Sequence, residues 1–404
     1  MFIMTTVQTP TKASSVISSS GFFLFVLLLT AANLRAPITA VGPVLEDIRL
    51  TFGLSASAAG LFNFIPLILF AVLAPVAAFL SQRIGLERSL WGALCLITAG
   101  SIVRWSESET ALWSGTVLLS AGIAAANVLL PPLIKRDFTE HTAKYIGLYA
   151  ATMSITASLA SGVAVPLTAL SDLGWRLSLG VWAVPAMIAL LVWLPLLRHR
   201  HQQPTSTAST ENLPTRNPWR TLIGWQVALF MALQSLAFYT LIDWFTPYAQ
   251  AHGFSQAQAG WLLFWYQAVA IVANLGCMVA LKRVRDARLL AFIASSAIFF
   301  GMLGLLLYPQ LAIVWLTLAG LGAGASLVLS LSLFNLRARH HRQASQLSGM
   351  AQCVGYGLAA LGPLFFGILH EHSGSWTLPF SVLVALSCVQ MLLAPLAGSA
   401  KQIS

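Results

Sequence analysis

Ionisable residues are the first thing this sequence lacks. Asp, Glu, Lys and Arg make up only 8% of its 404 residues, where a soluble domain carries roughly 25%. Beside 57% hydrophobic residues, too few polar groups exist to cover a soluble fold of this size. That excludes an ordinary soluble enzyme or a nucleic-acid binder, although the formal net charge is +10. The apolar surplus has to face lipid.

Other absences narrow the class. The apolar runs at 22–30, 188–197 and 313–321 are continuous, without the polar alternation of an outer-membrane barrel. Four cysteines (Cys95, Cys277, Cys353, Cys388) stand singly inside apolar segments. That spacing fits neither a metal site nor a disulfide framework, so they are expected to be small core hydrophobes. No Gly-rich phosphate loop with its Lys is present, which argues against direct drive by ATP. The eight histidines fall in loops or at span ends, and His370-Glu371-His372 lacks the i, i+4 spacing of a helical zinc pair. No Ser/His/Asp or paired-carboxylate set lies within the apolar segments. The expectation is no cofactor, no metal and no catalytic group. The N-terminus, whose first charge is Lys12, does not read as a cleaved secretory signal.

What remains is helix. A membrane-spanning helix needs about 20 mostly apolar residues, and twelve such segments can be placed. They run approximately over 20–45, 56–80, 89–104, 110–134, 144–170, 175–197, 221–248, 257–281, 288–307, 311–335, 344–369 and 375–397. Eighteen of the 22 basic residues fall in one set of alternating loops, which includes both termini. Arg49, Arg104 and Arg176 fall in the other set, and Arg35 lies inside a span. The positive-inside rule therefore puts both termini in the cytoplasm.

The stretch 198–219 is polar and rich in Pro, Ser and Thr, which marks a linker. It separates 1–197 from 220–404, each with six spans. The two parts share a pattern at an offset of 200: 51–62 aligns with 251–262, matching Gly53 to Gly253, Ser55 to Ser255, Ala59 to Ala259 and Gly60 to Gly260. The same offset pairs Arg83 with Arg283 and Arg88 with Arg288. Parallel six-span repeats of this kind organise major facilitator transporters.

The stretches NLRAPITAVGPVL (33–45), IGLERSL (84–90), LPPLIKRDF (130–138) and GLYAATMS (147–154) resemble the major facilitator superfamily, and within it the bacterial cyanate-porter family. That family includes the cyanate transporter and the 2-nitroimidazole exporter. The chain departs from the wider superfamily at Gln82, where an Asp usually precedes Arg-x-Gly, and at Ser161–Pro166, which lacks the clean Gly-Pro pattern of drug antiporters. The resemblance implies an all-α integral membrane protein of 12 transmembrane helices in two six-helix pseudo-symmetric bundles. It implies a monomeric secondary transporter of the bacterial inner membrane, surrounded by lipid, with a small-molecule substrate and no nucleic-acid partner. The substrate class it suggests is a small anionic or nitrogen-containing compound, moved by alternating access.

Two charged side chains lie well inside the spans. Arg35 is about 15 residues into the first, roughly 22 Å at about 1.5 Å per residue. An ionised Arg there has to face protein or a water-filled cavity, and its permanently charged planar fork suits a small anion. The alternative is a structural pair with carbonyls or a carboxylate. Asp243 in the seventh span is the other. The repeat register pairs it with Pro43, eight residues beyond Arg35, so a direct Arg35–Asp243 bridge is not expected. Asp243 is a candidate for proton coupling or an outer gate, and a solvated helix-end carboxylate is the plain alternative. A proton-coupled exporter of drugs or toxic compounds using Asp243 is the runner-up function.

Neutral polar residues complete a candidate substrate site: Thr39 on the Arg35 face, Asn127, Tyr239, Gln267, Gln352 and Tyr356. Ser235, Tyr239 and Asp243 recur every four residues and share one face. Each alone is more often interhelical glue than a ligand contact. Trp244, Trp261 and Trp265 are candidates to wall a cavity, though interfacial placement is commoner. Arg83, Arg88, Arg283 and Arg288 are expected in matching cytoplasmic turns, as inward-gate contacts or as orientation charge.

Overall fold

The computed structural model describes residues 20–138, 142–198, 217–281, 283–284, 286–339 and 341–403. Most of the expected linker lies outside them. Twelve segments are helical, long and apolar enough to cross a membrane. Span 1 covers Gly21–Phe52 and span 6 covers Trp175–Leu197, both interrupted. The others are span 2 (Ala56–Ile84), span 3 (Leu86–Val103), span 4 (Glu109–Asp137), span 5 (Thr142–Thr168), span 7 (Leu222–Ala251), span 8 (Gln256–Leu281), span 9 (Arg288–Leu307), span 10 (Ala312–Leu336), span 11 (His341–Ser373) and span 12 (Thr377–Ala397). Below, the terminal side is the one where span 1 begins and span 12 ends, and the distal side is the opposite one.

The offset-200 pattern is a repeated helix start. Gly53 and Gly253 both take left-handed φ (63° and 92°), which glycine adopts without a Cβ penalty. Two residues later a serine caps the next span. The Ser55 hydroxyl accepts the Ala58 N–H at 3.1 Å, and the Ser255 hydroxyl accepts the Gln258 N–H at 3.2 Å. In the second copy Gln258 returns the bond to the Ser255 N–H at 2.8 Å, which completes a reciprocal capping box.

Span 1 differs from the expectation of one continuous helix over 20–45. It comprises Ser20–Ala32, a turn, Ala36–Thr39, a 3-10 turn over Gly42–Val44 and Leu45–Phe52. Proline is the cause: Pro43 has no N–H for the Thr39 carbonyl, and Pro37 disfavours helical geometry before it. Backbone groups freed inside a membrane need other partners. The Ser161 hydroxyl donates to the Thr39 carbonyl at 3.2 Å, and the Arg104 guanidinium donates to the Pro37 carbonyl at 3.0 Å. Arg104 thus corrects its placement in an outer loop: it is only 2% exposed, folded back against Gly115 and the broken part of span 1.

Span 3 packs against spans 4 and 6, and span 9 packs in the same way against spans 10 and 12. The six-span halves meet mainly through span 2 against span 11 and span 5 against span 8. Small residues let these backbones approach. A Cβ on Gly60 would stand 2.7 Å from the Pro363 carbonyl oxygen, and one on Gly42 would stand 2.1 Å from that of Ile242. Cysteine burial corrects one expectation: Cys277 is buried and Cys95 and Cys388 are half-buried, but Cys353 is exposed.

Candidate functional site

The break in span 1 sets the site. Arg35 occupies the turn before Ala36–Thr39, so its side chain leaves the helix path where a regular helix would have packed it. Its guanidinium lies over the Phe238 ring, 5.2 Å from the centroid, a cation–π placement. Among the described residues it has no salt bridge and no side-chain hydrogen bond. A half-buried cation beside an aromatic face and without a carboxylate is unusual, because charges taken from water are ordinarily paired.

Two cavities share Arg35, Tyr239 and Tyr356. The larger, about 520 Å³ counted with the solvent it opens to, is also lined by Ser154, Gln234, Ser235, Phe238, Gln267, Asn274 and uncharged, apolar positions of spans 8 and 10. The second, about 380 Å³ on the same measure, adds Thr39, Phe70, Asn127 and Met153. No acidic or second basic side chain lines either one. Arg35 therefore sets the sign of the field in both.

Most of the expected substrate-site residues meet here. Tyr239 and Tyr356 line both cavities, and Phe70 meets Tyr356 edge-on at 5.7 Å. The Gln267 amide donates to the Ser161 hydroxyl at 2.7 Å, across the halves, while its Oε1 has no partner. Asn127 accepts from the Tyr149 hydroxyl at 3.0 Å. Thr39 lines the second cavity, but its hydroxyl faces backbone carbonyls of Arg35, Ala36 and Ala157. Gln352 is not brought in: one turn away from Tyr356, it donates to the Ser348 hydroxyl at 2.8 Å and lines neither cavity.

Asp243 is no solvated helix end. It is fully buried, where the Asn63 amide donates to its Oδ1. It lies one turn beyond Tyr239 on the face that carries Ser235, yet outside both cavities. No bond joins it to Arg35. Trp244 is buried with its N–H donated to the Pro363 carbonyl at 2.9 Å. Trp261 and Trp265 are exposed and wall neither cavity. The four paired arginines are exposed on the terminal side. Arg83 lies over Phe79 at 4.5 Å and Arg288 is 3.6 Å from Asp286, so no described contact carries them across the halves.

The residues missed in the sequence are Asn63, Phe238 and Arg104. Asn63 is a lone amide in the apolar run 61–70, a signal available in principle. Phe238 had none, being one phenylalanine among 22. Hydrogen bonds that join the halves between described residues are Asn63–Asp243, Ser57–Glu371, Gln256 to Asp47 and to the Pro43 carbonyl, Ser158 to the Phe264 carbonyl and Gln267–Ser161. All lie at the level of the larger cavity or distal to it.

Residues 21–360 match the family profile of the Major Facilitator Superfamily. The chain belongs to that superfamily. It is 39% identical to the 2-nitroimidazole transporter of Escherichia coli (strain K12) over 377 residues, covering 93% of this chain and 95% of that one. It is 29% identical to the cyanate transport protein CynX of the same organism over 378 residues, covering 92% and 97%. Among solved structures it is similar to the D-xylose-proton symporter, with a TM-score of 0.77 and 14% identity over 93% of this chain and 97% of that one. As a superfamily member the chain is a multi-pass membrane transporter, not an enzyme.

Proposed function

We propose that this transporter moves a small anion or compact nitrogen-containing compound, bound between the halves by Arg35. One observation carries the reading: an unpaired guanidinium faces two cavities that hold no other charge. Five N–H donors in a fixed fork can grip a linear anion such as cyanate or the two oxygens of a nitro group. Phe238, Tyr239 and Tyr356 add apolar and ring surface for a flat heterocycle. The two relatives, named for 2-nitroimidazole and for cyanate, support that pair of substrate shapes.

Alternating access follows from the arrangement of contacts. Inter-half hydrogen bonds between described residues gather towards the distal side, so that side is closed around Asp243 and Trp244. With the basic loops cytoplasmic, the state is closed to the outside and the termini lie in the cytoplasm. Rocking of one half against the other would break the distal bonds and turn the Arg35 cavities outward.

Uptake into proteoliposomes tests the substrate class. Saturable uptake of labelled cyanate, competed by 2-nitroimidazole, is expected. A chain that moves neither compound in either direction refutes the class.

A further inference from the structure

Asp243 and Asn63 form a buried pair whose hydrogen bonding is incomplete in a telling way. The Asn63 amide donates to Asp243 Oδ1, which leaves Asn63 Oδ1 and Asp243 Oδ2 both buried and without partners. The pair is one donor short and has two acceptors unserved. Buried acceptors are normally satisfied, and a buried carboxylate needs a cation or several donors.

Nothing described around the pair supplies either. On its own helix the hydroxyls of Thr240 and Thr246 are buried and bond nothing, and Tyr248 donates to the Leu305 carbonyl. Span 1 presents Gly42 to it, with Arg35 held over Phe238 and the acids Glu46 and Asp47 turned to Arg49 and Gln256. Span 2 presents Asn63, and its Arg83 lies over Phe79. Span 11 presents Gly362 and Pro363 towards Thr240 and Trp244, while Glu371 accepts from Ser57 and His370 stacks on Trp376. Spans 8, 10 and 12 contain no charged residue.

We infer that Asp243 with Asn63 is a proton-binding site, and that its proton latches the distal side shut. The proton comes from water on the distal side while the halves stand apart, and converts the carboxylate to a neutral acid. That acid's O–H then donates to Asn63 Oδ1 while the amide donates to Asp243 Oδ1, so the two groups satisfy each other reciprocally. Because Asn63 belongs to the first half and Asp243 to the second, this ring exists only when the distal side is closed. Ionised Asp243 would have to be buried unpaired, so closure without the proton is disfavoured. The ligand is the proton itself. The inference rests on the alternating-access reading, but not on Arg35 or the choice of substrate.

Closure takes up one proton, so the closed-to-open ratio falls as pH rises, by up to tenfold per unit above the ordinary carboxyl value of about 3.9. The test uses the full chain in lipid nanodiscs, without substrate. Spin labels are attached at Asp172 and Ser375, exposed distal positions of opposite halves, with the four native cysteines replaced. Between pH 5 and pH 8 the short-distance population should give way to a long one. Asp243→Asn needs no proton and should stay short throughout; Asn63→Ala should favour the long distance even at pH 5. Infrared difference spectra of the otherwise native chain should show a protonated-carboxyl stretch that Asp243→Asn removes. A distance distribution indifferent to pH, the same pH response in Asp243→Asn, or no such carboxyl band in the closed state overturns the inference. None of these readings involves substrate, so their failure leaves the Arg35 reading standing, and the converse holds.

Discussion

Arg35 meets an aromatic face and otherwise leaves its donors to the cavity. Arg35→Lys keeps the charge and loses the planar fork, and a charge-assisted contact is worth about 1.5–3 kcal/mol. Its half-saturation constant for the substrate should therefore rise by about tenfold or more, measured as concentration-dependent uptake. Arg104 acts at one remove. Its bond to the Pro37 carbonyl holds the break that aims Arg35. Arg104→Ala leaves that buried carbonyl unpartnered, at a cost of about 1–3 kcal/mol. A lower melting temperature in detergent, with partial rescue by Arg104→Lys, is the expected result; unchanged melting of the alanine variant contradicts the role. Arg35 was legible because a charge in an apolar run is costly wherever it points. Arg104 was not, because a residue at a span end reads as exposed until the chain is seen to fold it back under Gly115. Gln352 shows the converse limit. Four-residue spacing from Tyr356 gave it the right face, but the cavity ends before its turn.

At the scale of elements, the start of span 8 makes a paired prediction. Losing a serine cap costs about 1 kcal/mol, and Ser255 also takes part in a capping box. Ser255→Ala removes one of the box's two bonds and Gln258→Ala the other, so the double variant should lower the melting temperature more than either single one, checked side by side in one detergent. On the terminal side, Arg136 of span 4 bonds Glu87 of span 3 at 2.6 Å and its neighbour Asp137 at 2.7 Å. Glu87→Gln keeps an acceptor and removes the charge, so a loss of about 1 kcal/mol is expected; a thermal unfolding curve reads it. Span count and approximate ends were legible from apolar length alone. The breaks in span 1 were marked by Pro37 and Pro43, but a membrane helix tolerates proline when neighbours take up the freed carbonyls. Those neighbours, Arg104 and Ser161, come from spans 3 and 5 and are visible only in three dimensions.

For the whole molecule, the distal closure depends on backbones that touch. A side chain on Gly42 has nowhere to go against the Ile242 carbonyl. Gly42→Leu should hold the halves apart, so a thiol reagent applied from outside should reach a cysteine placed at Thr246, a buried distal position whose hydroxyl bonds no described residue, in a chain with its native cysteines replaced. The same reagent should react more slowly in the unsubstituted background; equal rates contradict the closed distal side. The offset-200 pattern foretold two related halves, but not which state they adopt, because that is set by pairings such as Asn63–Asp243 and Gln267–Ser161 between residues far apart in sequence.

The anchoring role of Arg35 is tested most directly by uptake of a small anion into proteoliposomes, with unmodified chain and Arg35→Gln reconstituted at equal density. Saturable uptake by the unmodified chain, reduced at least about tenfold in Arg35→Gln, is the predicted result. Equal saturable uptake by both would contradict it.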